Sequence, residues 1–156
     1  MKWSIYKKVR NKIQTGDLFF TASPAFFSKL IRFFTHSDVS HVGMFVVLED
    51  NVFTIECLEG KGCIMARASN RLKKTPFVWV KPKSLKAQKA KERGLNDVWS
   101  VEYDLWGAIM SPFVDTKSAR RFCSEAVARW YGIIIKGSRS GITPKDLLTY
   151  FNREII

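Results

Sequence analysis

The stretch RRFCSEAVARWYG, residues 120 to 132, contains a cysteine whose chemistry depends on what the fold brings to it. On a helix, Cys123 shares one face with Phe122, Ala126, Val127 and Trp130, at the spacing of a buried stripe. In that setting it is a small core residue. The alternative is a nucleophile, and a thiol nucleophile needs a base elsewhere in the chain to take its proton.

Two histidines are available as that base, His36 and His41. His36 lies in a predicted connection between a helix and a strand, which favours a surface or packing role. His41 lies inside a predicted strand, and Gly43 follows two residues later on the same face, so another group could approach the strand closely there. His41 is therefore the candidate general base.

A catalytic imidazole also needs a group that orients its ring, and two carboxylates can supply one. Glu56 and Glu59 follow His41 in the next predicted strand. A two-residue loop between the strands would put Glu56 on the face of His41, whereas a three-residue loop would put Glu59 opposite it. The residues alone leave both registers open. Glu56 lies between Ile55 and Cys57 in an apolar strand, where a carboxylate requires a partner.

The elements that must position these residues form an α+β pattern. Predicted strands are apolar, rich in β-branched residues or bounded by prolines, and lie within residues 16–20, 39–48, 52–59 and 76–82. Predicted helices lie within residues 1–14, 23–37, 83–93, 103–113, 120–132 and 143–151. The last of these begins with Thr143 as N-cap, and Asp146 three residues later makes a motif close to a capping box. A hairpin with flanking helices predicts an antiparallel β-sheet packed against helices.

Composition and charge limit the class of protein. Hydrophobic residues make up 46% of the chain, which excludes a disordered protein. No apolar run is long enough to span a bilayer, and the N-terminus lacks the apolar region of a secretory signal, so a cytoplasmic location is expected. The net charge of +12 indicates anionic partners, either nucleic acid or a membrane surface with which the protein associates peripherally. Much of the charge lies in residues 2–12 and 81–94, which we expect to be solvated faces or mobile loops.

The three cysteines follow no disulfide framework, and this odd number indicates a reducing compartment. Cys57 and Cys63 are predicted to be bystanders. The alternative is a disulfide between them, formed by a chain reversal through Gly60 and Gly62. The cysteines and histidines show no CxxC or HxxxH spacing, and the chain has no Gly-rich phosphate loop, so neither a metal nor a cofactor is expected.

Several of these motifs occur together in an order that resembles a known family. GDLFF, SDVSHVGMFV, TIECLEG, FCSEAVARWYG and TPKDLL follow one another between about Gly16 and Leu148. This order is similar to that of the YiiX/YebB-like proteins, a circularly permuted branch of the NlpC-type papain-like cysteine hydrolases. In that branch the histidine strand comes first and the cysteine helix last, as it does here.

The resemblance implies a papain-like fold, with Cys123 as nucleophile, His41 as general base and Glu56 as the orienting acid, which is the two-residue-loop register. It implies one domain over residues 1–156, made of a basic amphipathic segment (1–15) and a permuted papain-like core (16–150). Candidate substrate-binding residues are Tyr103, Ser40 and Ser124.

The expected activity is that of a thiol hydrolase or acyltransferase acting on amide or ester bonds of peptides, amino-acid conjugates or lipids. The alternative is a basic non-enzymatic protein on the same scaffold that binds nucleic acid or a membrane. The aromatic residues that interleave with lysines in FVWVKPK favour the nucleic-acid alternative.

Overall fold

A six-stranded antiparallel sheet is the frame of the molecule in a computed structural model, which describes residues 3–22, 29, 32–33, 36–58, 61–82, 86–98, 123–134 and 142–153. The strands are β1 (Trp3–Ser4), β2 (Leu18–Thr21), β3 (His41–Leu48), β4 (Asn51–Leu58), β5 (Gly62–Arg67) and β6 (Phe77–Val80). They lie in the order β1-β6-β2-β3-β4-β5, and each neighbouring pair is antiparallel. The predicted α+β class is confirmed, whereas sequence analysis missed β1 and β5.

The helices within the described residues are α1 (Tyr6–Val9), which continues into a 3-10 turn (Arg10–Lys12), α2 (Ala68–Arg71), α3 (Ala87–Asp97), α4 (Cys123–Tyr131) and α5 (Pro144–Arg153). The short amphipathic helix predicted within 1–14 is α1 with its 3-10 turn, and it packs on the core through Tyr6. The helix predicted within 23–37 lies mostly outside the described residues, and that within 103–113 lies entirely outside them. None of the described helices combines the length and apolar character that crossing a membrane requires.

Side-chain alternation along the strands gives the sheet two buried faces. One face, which we call the helix face, packs Leu18, Phe20, Met44 and Ile55 in one core with residues of α4 and α5. The opposite face, which we call the aromatic face, packs Phe19, Phe45 and Phe77 with residues of α1 and α2. In a sheet that is buried on both sides, a polar side chain without a hydrogen-bond partner costs free energy.

The turn between β3 and β4 decides the register of the hairpin. Glu49 and Asp50 both have positive φ, at 45° and 62°, as a two-residue hairpin loop requires. Leu48 consequently pairs with Asn51, and the pairing continues to Met44 and Ile55. The two-residue alternative is the one that the chain adopts.

The basic segment that follows β6 contains the helix predicted within 83–93, which is α3, and Lys81, Lys86 and Lys89 are exposed, as expected of a solvated face. α3 packs on α4, with Ala90 and Gly94 buried. Arg93 Nη1 donates to the carbonyl oxygens of Arg129 and Trp130 at 3.2 and 3.0 Å, at the C-terminal end of α4. One function of the charge in this segment is thus to satisfy the last carbonyls of the helix that begins at Cys123.

A reciprocal capping box begins α5, as its sequence predicts. The Asp146 N–H donates to Thr143 Oγ1 at 3.2 Å, and the Thr143 N–H donates to Asp146 Oδ2 at 2.9 Å. Two of the N–H groups that a helix start leaves unpaired are satisfied in this way.

Gly43 lies in β3, two residues after His41, at a position where the aromatic face leaves no room for a side chain. A Cβ built on Gly43 would lie 2.4 Å from the ring of Phe19 and 3.0 Å from Glu56 Cβ. The close approach expected at this glycine is therefore made by a buried phenylalanine and by the stem of the carboxylate.

Gly43→Ala should lower the free energy of unfolding by about 1–3 kcal/mol, because the fully buried Phe19 ring has no space into which it can move. Chemical denaturation measures the change. Gly94→Ala is the matched control. Its Cβ would lie 3.1 Å from the flexible terminal methyl of Met44 and 3.5 and 3.6 Å from two Ile55 methyl groups, which are ordinary contact distances. The helix gains up to ~1 kcal/mol from alanine. Equal effects of the two substitutions would contradict this account of Gly43.

Candidate active site

The first contact of the site joins the two strands of the central hairpin. The register of β3 and β4 puts Glu56 across from Gly43, diagonal to His41. The Nε2 atom of His41 lies 2.7 Å from Glu56 Oε2. The prediction that Glu56 lies on the His41 side of the hairpin is confirmed, while Glu59 lies outside the described residues.

The carboxylate of Glu56 is fully buried, with an exposure of 0%, and both of its oxygens are engaged. Besides the His41 contact of Oε2, its Oε1 accepts a bond from Arg71 Nε at 2.7 Å and one from Thr54 Oγ1 at 3.3 Å. Arg71 is the last residue of α2, on the aromatic face. A buried carboxylate with two cationic partners and a hydroxyl meets the requirement for keeping a charge out of water.

Arg71 is a residue that sequence analysis missed. It stands in the segment ASNRLKK, which has neither a periodic pattern nor a motif. Only the fold of β5 and α2 brings it to Glu56, fifteen residues earlier in the chain. The one signal in the sequence is the requirement of Glu56 for a partner, and His41 alone can satisfy that requirement.

The partners of Glu56 decide its charge. Burial would raise the pKa of Glu56, but hydrogen bonds and charge from His41 and Arg71 outweigh burial and lower that pKa. The carboxylate therefore stays ionised at neutral pH. Its contribution to stability is present above its ordinary pKa and is lost as the pH falls through the lowered pKa of the folded state.

The thiol of Cys123 completes the group from the helix face. It is 3% exposed, and it lies within hydrogen-bonding reach of the His41 ring, whose side chain is 13% exposed. Burial would lower the pKa of His41, but the charge and hydrogen bonds of Cys123 and Glu56 outweigh it and raise the pKa to about 10. The imidazole is thus protonated at neutral pH, with a carboxylate on one side and a sulfur on the other.

Cys123 is the first residue of α4 as described, and the segment before it lies outside the described residues. The thiol is held in place by contacts at the other end of the helix. The indole N–H of Trp130 donates to Asp97 Oδ2 at 2.8 Å, and the Tyr131 hydroxyl donates to the Gly16 carbonyl oxygen. These bonds fix α4 to α3 and to the residues leading into β2.

Of the three candidate substrate-binding residues, Ser40 and Ser124 lie within the described part of the chain. Ser124 is fully buried and donates its hydroxyl to the Ile142 carbonyl oxygen at 2.5 Å, a structural contact that ties α4 to the start of α5. Ser40 is buried directly before His41, with its N–H donating to the Thr21 carbonyl oxygen at 3.0 Å. Tyr103 lies outside the described residues. Substrate binding stays a prediction for these residues, and the Ser124 hydroxyl is already committed elsewhere.

His36 is not part of the site. It is exposed, and its carbonyl oxygen accepts a bond from Lys145 Nζ at 3.1 Å. The expectation of a surface role for His36 is confirmed.

The other two cysteines form a disulfide, which is the alternative that the sequence left open, and neither takes part in the site. Cys57 and Cys63 face each other directly in β4 and β5, and both are fully buried. Cys57 points to the helix face, opposite to Glu56, as predicted from alternation. Cys123 is then the one unpaired thiol of the chain, and the argument for a reducing compartment from an odd number of cysteines loses its premise.

A metal centre has no evident donor set here. Within the described residues, no group of three or more His, Cys, Asp or Glu side chains is arranged to hold an ion. The site residues instead contact one another and the guanidinium of Arg71.

The fold is similar to that of a solved structure, the metalloprotein yiiX from Escherichia coli O157:H7. The two share 26% sequence identity with a TM-score of 0.61, and the matched region covers 76% of this chain and 64% of yiiX. This chain thus spans less than two thirds of the length of yiiX. The match supports a yiiX-like relationship and agrees with the α+β fold. No protein-family model matches the sequence, and no curated protein does.

The protonated ring of His41 predicts how stability depends on pH. Because its pKa of about 10 in the folded state exceeds its ordinary value of 6.5, the folded state binds the proton more tightly. This stabilisation is fully present below pH ~6.5 and is lost as the pH rises through about 10.

The free energy of unfolding of the wild type, minus that of His41→Gln, should therefore decrease between pH ~6 and ~10, by at most about 1.4 kcal/mol per pH unit. Urea denaturation of both proteins across this range measures the difference. A difference that does not change with pH would mean that the ring is not held in its charged form.

Arg71→Gln should destabilise the protein by about 2–3 kcal/mol at pH 7, because it removes a charge-assisted hydrogen bond from a buried carboxylate. Arg71→Lys keeps the charge and should lose less. Arg67→Gln serves as control, since Arg67 is exposed and lies over the Phe53 ring at 6.0 Å, away from Glu56. If Arg71→Gln were no more destabilising than Arg67→Gln, the bond to Glu56 would contribute nothing to stability.

Proposed function

We propose that this protein is a thiol-dependent hydrolase or acyltransferase that cleaves an amide or ester bond through Cys123, His41 and Glu56. The observation that carries the proposal is the position of the His41 imidazole, in contact with a buried carboxylate and within reach of a free thiol. Nucleophile, base and orienting group in this arrangement are what thiol-based acyl transfer requires.

Each residue has a distinct role. Because Nε2 of His41 is engaged by Glu56, Nδ1 is the nitrogen left for the Cys123 thiol. The raised pKa of His41 favours a proton on the imidazole. A thiol that has given its proton to a neighbouring imidazole is the nucleophilic form. Glu56 fixes the ring and stabilises the imidazolium, and Arg71 keeps Glu56 ionised so that it does not take the proton itself.

In the acylation step, the Cys123 thiolate attacks the carbonyl carbon and forms a carbon–sulfur bond. Backbone N–H groups around Cys123 stabilise the oxyanion. His41 then gives its proton to the leaving nitrogen or oxygen, and the bond between that atom and the carbonyl carbon breaks. The products are a thioester on Cys123 and the free amine or alcohol.

In the second step, an acceptor releases the acyl group. His41, now neutral, takes a proton from water or from another acceptor, whose oxygen or nitrogen attacks the thioester carbon. The carbon–sulfur bond breaks, and the thiolate and the imidazolium are restored. Water as acceptor makes the protein a hydrolase, and an amine or alcohol makes it an acyltransferase.

The chain order supports a more specific assignment to the circularly permuted NlpC-type papain-like hydrolases. Histidine, glutamate and cysteine follow one another in that order, with the cysteine on a late helix, and the similarity to yiiX agrees with this branch. The substrates proposed are peptides, amino-acid conjugates or lipids with an amide or ester bond. The domain limits of 16–150 for the permuted core belong to the same proposal.

The description of yiiX as a metalloprotein is not carried over to this mechanism. The carboxylate of Glu56 already bonds to a histidine and a guanidinium, and the described residues bring no set of three donors together. These residues do not fit a resident ion, and no step here is routed through one.

Iodoacetamide should label the native, unreduced protein once, at Cys123, because the imidazole favours the thiolate. His41→Ala should slow this labelling at pH ~7 at least tenfold, towards the rate of an ordinary thiol with a pKa of ~8.5. His36→Ala is the matched control, since it removes an exposed histidine outside the site. Intact-mass spectrometry over time measures the rate.

The same instrument tests turnover. Pools of amides, thioesters and lipid esters should leave an acyl adduct on the wild type, and Cys123→Ser should abolish both the adduct and product release. If Cys123 is inert in the folded protein and is labelled only after unfolding, regardless of His41, it is a core residue and the proposed function is wrong.

A further inference from the structure

A strongly basic surface lies at the end of the molecule where the N-terminal segment meets α2. It is formed by two segments, residues 3–12 and 68–76, neither of which contains an aspartate or a glutamate. Its exposed cations, which we call the basic surface, are Lys7, Lys8, Arg10, Lys12, Lys73 and Lys74.

Packing brings the two segments together. α1 contacts α2, and the buried side chains of Tyr6 and Leu72 belong to the same core of the aromatic face. β1 pairs with the start of β6, where Ser4 lies opposite Phe77, so the loop that carries Lys73 and Lys74 ends beside the residues that enter α1. The two segments that carry these cations, distant in the sequence, are thereby held side by side.

Large apolar side chains accompany these cations. Trp3 and Ile5 immediately precede α1, and they are 41% and 48% exposed. Electrostatic binding to a polyanion such as nucleic acid does not involve an exposed isoleucine side chain. A bilayer has a charged headgroup layer directly above an apolar layer, which suits lysines beside a tryptophan and an isoleucine.

We propose that the basic surface, with Trp3 and Ile5, docks on the surface of an anionic lipid bilayer. The cations contact the headgroups, and the two apolar side chains enter the boundary below them. Charge complementarity identifies the occupant, and the apolar pair distinguishes a bilayer from other polyanions. The proposal does not rest on the function proposed for Cys123, since neither the six cations of the basic surface nor Trp3 and Ile5 take part in that site.

Co-sedimentation with vesicles of phosphatidylcholine alone, or with an equal part of phosphatidylglycerol, tests the docking. The wild type should bind the anionic vesicles and not the neutral ones. The test variant carries three substitutions on the basic surface: Lys8→Gln, Lys73→Gln and Lys74→Gln. It should bind the anionic vesicles roughly 100-fold more weakly, since each lysine close to an anionic membrane contributes several-fold.

A second triple variant removes the same charge from other exposed positions: Lys29→Gln, Lys61→Gln and Lys89→Gln. It should bind nearly as well as the wild type. Equal losses in the two variants would overturn the proposal, because binding would then follow net charge rather than this surface. An absence of binding to anionic vesicles at low salt would overturn it as well.

The apolar pair has its own matched control. Ile5→Asn should weaken vesicle binding severalfold, whereas Ile134→Asn should not, although Ile134 is the more exposed at 86%. Single-stranded polyuridylate is the competing probe. If it binds more tightly than the vesicles, and Ile5→Asn leaves both affinities unchanged, the surface is a nucleic-acid site and the bilayer proposal is wrong.

Discussion

The ionised carboxylate of Glu56 is the constraint on which the rest of the site depends. A charge with no exposure to water costs several kcal/mol unless its oxygens are paired. The fold satisfies it from two directions, with His41 from the neighbouring strand and Arg71 from α2. The hairpin register, the two-residue turn and the glycine at position 43 are all needed to bring the three groups into contact. A shift of one residue between β3 and β4 would move Glu56 to the other face and leave the charge unpaired.

The thiol reaches the same imidazole from an independent part of the structure. The sheet supplies His41 and Glu56, whereas Cys123 is carried by α4, whose position depends on bonds at its far end, at Trp130 and Tyr131. The distance between sulfur and imidazole is consequently set by how α4 packs against both the sheet and α3. The charge on α3 has a role in this packing, because Arg93 donates hydrogen bonds to carbonyl oxygens at the C-terminal end of α4.

The parts of this arrangement that follow local rules could be predicted from the sequence. Alternation along β3 and β4 limited the orienting carboxylate to two candidates, and the turn decided between them, with Glu49 and Asp50 accepting positive φ. The capping box of α5 is equally local. Arg71 could not be predicted, because its place depends on β5 and on a four-residue helix that no periodicity indicates. The role of the basic α3 was missed for a related reason, since charge patterns indicate solvent exposure and not which carbonyl oxygen a guanidinium will meet.

The disulfide depends on β5, a strand that the sequence pattern does not predict. Without β5, a chain reversal through Gly60 and Gly62 made a disulfide between Cys57 and Cys63, six residues apart, only an alternative to a pair of bystanders. With β5 in place, the bond joins the strand that carries Glu56 to the strand that leads directly into α2 and Arg71. Because the loop is so short, the lower entropy of the cross-linked unfolded chain stabilises the fold by only roughly 2 kcal/mol. Its location therefore matters more than its entropy, because it holds together the two elements whose separation would leave the buried carboxylate without its guanidinium.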